Sequence, residues 1–186
     1  DYVYVPESSV LKVNSDNYDA MSFAEPLSTV VYGFEKLKLD FTKSVLINGV
    51  GPIGLMFLQL VVRAGVKQVV AADFNNEKLK DAAVAGADYT FNPLNEKDNA
   101  QFTELCNRGF DVVIDCTGSI KSMQACVDKV AFGGQILLFG LAASSATMEI
   151  NPFKLYCKDA MIMTSNAGNH DSFCKAVSLL ENNRIN

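Results

Sequence analysis

VLINGVGPIG, residues 45–54, runs an aliphatic strand directly into Gly49-x-Gly51-x-x-Gly54 and then into an apolar stretch with helical character. In this order the first glycine permits a tight turn, the second lets a ligand approach the backbone, and the third lets the helix pack on the strand. Pro52 stands where the first helical residue is expected, and its missing N–H costs nothing there. The pattern predicts a turn that holds a diphosphate on backbone N–H groups at the positive end of a helix dipole.

An acidic residue after the next strand favours this interpretation, because three glycines at this spacing also recur in loops that bind nothing. A second aliphatic run, residues 68–72, ends in Asp73, nineteen residues past Gly54. A carboxylate at this position accepts hydrogen bonds from the hydroxyls of an adenosine ribose and repels a 2′-phosphate, which predicts NAD rather than NADP. Alternatively, Asp73 is a helix-capping acid. Lys78 can bond the same ribose or be a solvated helix lysine.

Strand-like and helix-like segments alternate along the chain, which predicts an α/β fold. Because right-handed crossovers place helices over a parallel sheet, we expect a Rossmann doubly wound parallel six-stranded sheet with helices on both faces and strand order 3-2-1-4-5-6. The strand-like runs begin near Val45, Gln68, Tyr89, Asp111, Gly134 and Ala160.

The loops that follow the strands are the expected ligand contacts, because a doubly wound sheet binds its ligand outside the carboxyl ends of the strands. Alternatively, Gly118 and Gly140 only let the chain turn. The predicted cofactor-binding residues are Gly49, Gly51, Pro52, Ile53, Gly54, Asp73, Lys78, Cys116, Thr117, Gly118, Phe139, Gly140, Leu141, Ser165 and Asn166.

The first forty residues differ from the rest. Residues 1–24 are predicted to begin with an extended, alternating strand without a crossover helix, and residues 24–40 are predicted to form a helix with Pro26 near its start. The NAD-binding domain is therefore expected to cover residues 25–186.

Composition excludes several classes of protein. The net charge is −5, from 16 Lys and Arg against 21 Asp and Glu, and no basic stripe is present, which argues against nucleic acid. The longest apolar run, residues 55–62, is shorter than the roughly 18 residues of a membrane helix. The N-terminal residues lack the features of a secretory signal. We expect a cytoplasmic protein with no nucleic-acid or membrane partner.

The sulfur and imidazole side chains show no metal-binding spacing. The five cysteines are an odd number without a C-x-x-C pair, which predicts small buried hydrophobes in a reducing compartment rather than a zinc site. The one histidine, His170, lies in a polar stretch and is expected at the surface. The cysteines are Cys106, Cys116, Cys126, Cys157 and Cys174.

Six motifs in this order closely resemble the coenzyme domain of the zinc-dependent medium-chain dehydrogenases, which include alcohol, sorbitol and threonine dehydrogenases. The resemblance runs from Tyr2 to the end of the chain. The motifs are EPLSTVVYG, VLINGVGPIGLM, VVAADFNNEKL, AGADYTFNP, DVVIDCTGS and GGQILLFGL.

The resemblance implies the function. Members transfer a hydride between a secondary alcohol and NAD with the help of zinc, and a GroES-like catalytic domain carries most zinc ligands. Residues 1–24 then correspond to the remnant of that domain, and residues 1–186 are expected to bind NAD without turnover and to contain no catalytic residue. Glu25 corresponds to a metal-ligand position and resembles the sorbitol and threonine branch; from the residue alone, an acid that stabilises a helix start is preferred.

The resemblance also implies an alcohol as the small-molecule substrate and assembly into a homodimer or tetramer, with residues 147–150 and 160–164 offering a sheet edge. Two other functions stay open at this point. A methyltransferase that uses S-adenosylmethionine also combines a glycine turn with a ribose-binding acid, and a noncatalytic module can bind NAD as a signal.

Overall fold

The computed structural model describes residues 2–185, except for the side chains of residues 8 and 96–99, and it is built on one six-stranded sheet. All five pairings between neighbouring strands are parallel, and the order is β3-β2-β1-β4-β5-β6. The predicted Rossmann topology is therefore confirmed. The strands are β1 (Ser44–Asn48), β2 (Gln68–Ala72), β3 (Tyr89–Phe91), β4 (Phe110–Asp115), β5 (Val130–Leu138) and β6 (Met161–Thr164).

Eight α-helices lie within the described residues, and four of them begin at an asparagine whose side chain accepts hydrogen bonds from the first turn: Asn17, Asn75, Asn151 and Asn169. None of these helices combines the length and apolar character needed to cross a bilayer. The helices are α1 (Tyr18–Met21), α2 (Ala24–Phe34), α3 (Pro52–Arg63), α4 (Asn76–Val84), α5 (Glu96–Arg108), α6 (Ile120–Lys129), α7 (Pro152–Lys158) and α8 (His170–Glu181).

The core is divided by the sheet into two layers, and β1 contributes to both. Val45 and Ile47 pack into the cluster formed with α2, α3 and α8, whereas Leu46 packs into the cluster formed with α5 and α6. All three side chains are fully buried. Burial on both faces explains why this strand is a continuous aliphatic run rather than an alternating one.

Two predictions for the first forty residues are wrong. The predicted initial strand is not formed: in residues 2–14 the only regular element is a 3-10 turn at Glu7–Ser9, and Tyr2 and Tyr4 are fully exposed. An alternating sequence becomes a strand only where a neighbour pairs with it, and the described sheet offers none here. Helix α2 ends at Phe34 rather than near Asp40, in a tight turn in which Leu37 donates to the Phe34 carbonyl.

Several other boundaries also differ from the predictions. Residues 147–150 form no strand, so the edge of the sheet on this side is β6 alone. Strand β5 begins four residues before the predicted start at Gly134. Cys157 is exposed on the short helix α7 and Cys106 and Cys174 are half-buried, so the expectation of a buried hydrophobe holds for Cys126 and for the inward-facing side chain of Cys116. His170 is exposed as expected.

Candidate functional site

The glycine turn, residues 49–54, joins β1 to α3 through contacts that only glycine allows. Gly49 has a φ of +82°, and its N–H donates to the Ala72 carbonyl at 2.8 Å. A Cβ on Gly54 would lie 2.0 Å from the carbonyl oxygen of Gly49. A Cβ on Gly51, in contrast, would meet only the Lys78 ammonium nitrogen, at 3.9 Å, among the described atoms. The first and third glycines therefore shape the turn, and the second leaves its outer side open.

The first turn of α3 presents backbone N–H groups at this open side. The first helical hydrogen bond runs from the Leu55 N–H to the Gly51 carbonyl, at 2.9 Å. The N–H groups of Ile53 and Gly54 precede that bond, and Pro52 has none. Gly51 is the N-cap residue and has no side chain that would satisfy them. This arrangement suits an anion that accepts from Ile53 and Gly54.

Asp73 follows β2 and is tied to the glycine turn. Its Oδ2 accepts from the Val50 N–H at 2.9 Å, and its Oδ1 accepts from the Asn75 N–H at 2.9 Å. The Asp73 N–H donates to the Phe91 carbonyl at 3.2 Å, which extends the ladder between β2 and β3. Because a carboxylate offers about four acceptor positions, the half-buried Asp73 keeps acceptor capacity for hydroxyl groups of a ligand.

The cap of α4 is a different residue. The Oδ1 of Asn75 accepts from the N–H groups of Glu77 and Lys78, so the interpretation of Asp73 as the helix cap is wrong. Lys78 lies in the first turn of α4 with its ammonium beside Gly51. Its charge is thus placed over the same open surface as the N–H groups of α3.

The loop after β4 is anchored by the buried carboxylate of Asp115. Its Oδ1 accepts from the Thr117 N–H at 3.1 Å and from the Thr117 hydroxyl at 2.9 Å, while its Oδ2 accepts from the Ser122 hydroxyl. The Thr117 methyl group lies against Gly49, since a Cβ there would be 2.8 Å away. Thr117 is thereby placed directly beside the glycine turn.

Cys116 belongs to the same loop but faces inward. Its N–H donates to the Asn48 carbonyl at 2.8 Å, and its side chain packs against the core cluster of α2 and α3. Burial raises the pKa of the Cys116 thiol far above its ordinary value, and the charge of Asp115 adds to this effect. The thiol is therefore neutral at physiological pH.

The loops after β4 and β5 press against each other, and we refer to residues 116–119 and 139–141 as the β4–β5 loop pair. A Cβ on Gly140 would lie 2.1 Å from the Gly118 nitrogen, and one on Gly118, whose φ is +69°, would lie 2.5 Å from the Leu141 carbonyl oxygen. The N–H groups of Phe139 and Gly140 both donate to the Asp115 carbonyl, at 2.9 and 2.8 Å. Gly118 and Gly140 therefore pack two backbones together and do more than turn the chain.

The side chains of this loop pair differ in exposure. The Phe139 ring packs edge-on against Phe57, with centroids 4.8 Å apart and an interplanar angle of 80°. Leu141 is 95% exposed, next to the cleft formed by the strand ends. Phe139 is half-buried with its N–H bonded to the Asp115 carbonyl, whereas the exposed Leu141 can offer its side chain to a ligand.

Ser165 and Asn166 follow β6. Because Leu138 pairs with Thr164, Ser165 lies level with the start of the loop after β5. The Ser165 hydroxyl oxygen is buried and has no hydrogen-bond partner in the part of the chain that the structure describes. Asn166 is exposed, and Ala167 has a φ of +55°. These two predicted contacts stay predictions.

Glu25 lies apart from the glycine turn, in the first turn of α2, and its side chain is exposed. Its carbonyl oxygen accepts from the Ser28 hydroxyl at 2.7 Å, and that hydroxyl is 2.9 Å from a Cβ placed on Gly168. Glu25 is thus the second residue of the helix that packs beside the loop after β6. Across the described residues, no three His, Cys, Asp or Glu side chains converge on a metal position. The described residues do not fit zinc without further ligands.

The polar groups that hold the site loops in place are absent from the predicted site residues. They are the Val50 N–H, which binds Asp73, the Asp115 carboxylate, and the Asn92 side chain, which donates to the loop after Asp73. One signal was available: DVVID, like VVAAD, is a buried strand that ends in an acid. The Val50 N–H has no such signal in the sequence, because every residue except proline carries a backbone N–H.

Comparisons with known proteins agree with this geometry. Residues 52–182 match a family model described as zinc-binding dehydrogenase. D-arabinitol dehydrogenase 1 of Uromyces fabae is 29% identical over 100% of this chain and 54% of its own length. L-threonine 3-dehydrogenase of Symbiobacterium thermophilum is 32% identical over 81% of this chain and 43% of its own length. The crystal structure of L-idonate 5-dehydrogenase from Escherichia coli superposes with a TM-score of 0.80 at 29% identity, over 91% of this chain and 48% of that one.

The glycine turn, the acid after β2 and the strand order define a dinucleotide-binding domain of the Rossmann class. More narrowly, the chain belongs to the zinc-binding dehydrogenase family, since the family model covers more than half of it. The resemblance drawn from the sequence is confirmed. The chain spans about half the length of the curated relatives it matches.

Proposed function

We propose that residues 25–186 are the NAD-binding domain of a zinc-type medium-chain dehydrogenase that oxidises a polyol or another secondary alcohol. One observation carries this proposal: the Asp73 carboxylate is bonded to the Val50 N–H of a glycine turn whose Gly51 side is open. Adjacent sites for a diphosphate and a ribose suit one ligand that contains both groups. Family membership supports the same reading.

The residues of the turn hold the diphosphate. The N–H groups of Ile53 and Gly54 donate to it, with the helix dipole of α3 behind them. Lys78 adds a positive charge from α4 beside Gly51. The β4–β5 loop pair and the loop with Ser165 and Asn166 then line the part of the cleft that receives the nicotinamide half. Bound NAD supplies the hydride acceptor, and this chain positions it.

Asp73 selects the cofactor. Its free acceptor positions suit the two hydroxyls of the adenosine ribose, whereas a 2′-phosphate would bring two negative charges against the carboxylate. Since Val50 and Asn75 hold both oxygens, the carboxylate has little freedom to turn away from a phosphate. We therefore propose NAD rather than NADP.

Coenzyme titration tests the proposal. The 186-residue chain is titrated with NADH and with NADPH, followed by coenzyme fluorescence. We expect tighter binding of NADH, and Asp73→Ser should lose at least about tenfold of that preference, the equivalent of one charge-assisted hydrogen bond. Asp81→Ser, an equal charge change at an exposed position of α4, is the control and should keep the preference. Equal affinity of the unaltered chain for both coenzymes would refute the NAD assignment, and no binding of either would refute the function.

The zinc chemistry of the whole enzyme is also a proposal. We propose that Glu25 is one ligand of the metal or its water and that the other ligands lie outside residues 1–186, with residues 1–24 belonging to the catalytic domain. The isolated chain should then bind NADH but not oxidise D-arabinitol, L-threonine or sorbitol, and turnover by these residues alone would overturn this division. In the full-length enzyme, Glu25→Ala should lower the zinc content, whereas Glu104→Ala, at an exposed position of α5, should not.

The substrate and the assembly are proposals as well. The relatives act on a polyol or on threonine at similar identity, which supports a secondary alcohol and leaves a threonine dehydrogenase-like enzyme as the narrower alternative. A substrate panel with the full-length enzyme decides between them. We further propose that the protein is cytoplasmic and forms a homodimer or tetramer. Light scattering tests the oligomeric state.

A noncatalytic NAD-binding module is the second candidate function, because the described residues do not bring three metal ligands together. A full-length protein that binds NADH tightly and contains no zinc would support it. Family membership favours the dehydrogenase over a methyltransferase, and tighter binding of S-adenosylmethionine than of NADH would reverse that order.

A further inference from the structure

Asn92 lies one residue past β3 and is 8% exposed, at the back of the loop that carries Asp73. Its side-chain amide donates to the Phe74 carbonyl at 3.0 Å and to the Asn76 Oδ1 at 2.8 Å. Its own Oδ1 accepts from the Leu94 N–H at 3.0 Å. One buried side chain thus fastens the loop after β2 to the loop after β3.

The fastened segment contains one of the two N–H groups that bond the Asp73 carboxylate. The residue that gives Asp73 Oδ1 its hydrogen bond is Asn75, which lies between the two groups that Asn92 holds, the Phe74 carbonyl and the Asn76 side chain. Because Asn75 is also the N-cap of α4, its N–H is placed by this loop and by the helix start together. Loss of the Asn92 amide would remove both hydrogen bonds that fasten this segment, in which Phe74 and Asn76 are exposed to solvent, and the loop would be free to shift.

We propose that Asn92 is a positioning residue for cofactor choice, which acts through Asp73 without touching the ligand. By fixing the segment from Phe74 to Asn76, it holds the Asp73 carboxylate where this group accepts hydrogen bonds from a ribose diol and repels a 2′-phosphate. The inference rests on the proposed binding of NAD at this site.

A double-mutant cycle tests this role. Affinities for NADH and NADPH are measured for the unaltered chain, Asn92→Leu, Asp73→Ser and the double variant. Leucine has a similar size, adds no charge and lacks the donor. We expect Asn92→Leu to reduce the preference for NADH by about tenfold, as expected for two lost hydrogen bonds. In the Asp73→Ser background the same substitution should change the preference by less than about twofold, because its effect passes through Asp73.

A merely structural role gives a different result. If Asn92 only stabilises the fold, Asn92→Leu weakens both coenzymes equally and the preference is unchanged, which would overturn the inference. If the preference changes by the same factor in both backgrounds, Asn92 does not act through Asp73 and the inference also fails.

Two further measurements keep the outcome interpretable. Asn92→Ser, which retains a donor, should restore part of the preference and serves if the leucine variant does not fold. Asn107→Leu, at an exposed position of α5, is the matched control and should behave as the unaltered chain. Failure of the unaltered chain to bind NADH would refute the proposed function itself, whereas NADH binding with an unchanged preference in Asn92→Leu refutes only the role of Asn92.

Discussion

The glycine turn after β1 and the β4–β5 loop pair both place glycines where a side chain would collide, yet they use them differently. In the loop pair, a Cβ added to Gly118 would lie 2.5 Å from the Leu141 carbonyl oxygen, and a Cβ added to Gly140 would lie 2.1 Å from the Gly118 nitrogen. In the turn, Gly54 is equally crowded, but Gly51 meets nothing closer than the Lys78 ammonium at 3.9 Å among the described atoms. Glycine therefore serves packing in one region, and packing plus ligand access in the other.

Because of this difference, added methyl groups are expected to lower stability at the crowded glycines and to weaken ligand binding at the open one. Where the nearest atoms belong to a backbone, an added methyl group forces the fold to move and must lower the free energy of unfolding. Where the space is open to solvent and φ is not positive, the same methyl group affects only a ligand that enters that space. Single Gly→Ala substitutions, which change one methyl group at a time, test the comparison directly.

Gly54→Ala is expected to have the largest effect. Its Cβ would lie 2.0 Å from the Gly49 carbonyl oxygen and 2.9 Å from the Gly49 carbonyl carbon, both in the backbone next to the central strand β1. We expect a loss of about 3 kcal/mol in the free energy of unfolding, at the upper end for overpacking, measured by urea denaturation. A loss below about 1 kcal/mol would show that α3 can shift away from β1.

Gly140→Ala should follow with a smaller effect. Its Cβ would lie 2.1 Å from the Gly118 nitrogen, but both loops lie at the ends of their strands and have more room to separate. We expect a loss of about 2 kcal/mol in the same urea experiment. Gly133→Ala, within β5, has no atom within 4 Å of the added Cβ but a φ of +69°, so it measures backbone strain alone, whereas Gly140 has no positive φ and its loss would come from the collision. A loss below about 1 kcal/mol in Gly140→Ala would show that the packing of the loop pair contributes little.

The sequence predicted the glycine turn and Asp73 because both are local signals: a glycine spacing and an acid that ends an aliphatic strand. It left open the function of Gly118 and Gly140, because their contact joins residues that lie 22 positions apart and depends on the register between β4 and β5.

Pairing also explains the other errors. Residues 2–14 alternate like a strand, but the described sheet gives them no neighbour. Asn92 lies in the motif AGADYTFNP, but the motif does not reveal its role, because that role depends on two acceptors in another loop. Site residues with a local sequence pattern could be predicted from the sequence. Contacts between loops that are distant in the sequence could be identified only from the structure.

The pH dependence of stability probes how well the core layer between α6 and the sheet excludes water. Cys126 on α6 is fully buried, and its thiol contacts the Asn48 amide at 3.4 Å. Burial, together with the charge of Asp115, raises the pKa of Cys126 from 9.0 to about 12. Since the folded pKa lies above the unfolded one, this thiol contributes its full stability below pH 9, and the contribution is lost as the pH rises from 9 towards 12.

The expected slope is about 1.4 kcal/mol per pH unit for this one group. Urea denaturation of the unaltered chain and of Cys126→Ala at pH 7.5 and pH 10 isolates the contribution of this thiol, because all other titrating groups are the same in the two proteins. The unaltered chain should lose about 1 kcal/mol more than the variant between these pH values. Identical losses would mean that water reaches Cys126 in the folded state.

Gly51→Ala should have the smallest effect on stability and the clearest effect on binding. Gly51 has φ and ψ of −67° and −172°, which alanine adopts without strain, and its Cβ would point into open space beside Lys78. We expect the free energy of unfolding to stay within about 1 kcal/mol of that of the unaltered chain. A small increase is expected, because alanine restricts the unfolded chain more than glycine does. The affinity for NADH should fall by about tenfold or more, because the methyl group occupies the surface on which the diphosphate rests.

Gly65→Ala, which meets no atom within 4 Å at the far end of α3, is the control for binding. Unchanged NADH affinity in a stable Gly51→Ala protein would mean that the open side of the turn is not where the coenzyme lies, and the contrast between the two regions would then reduce to packing alone.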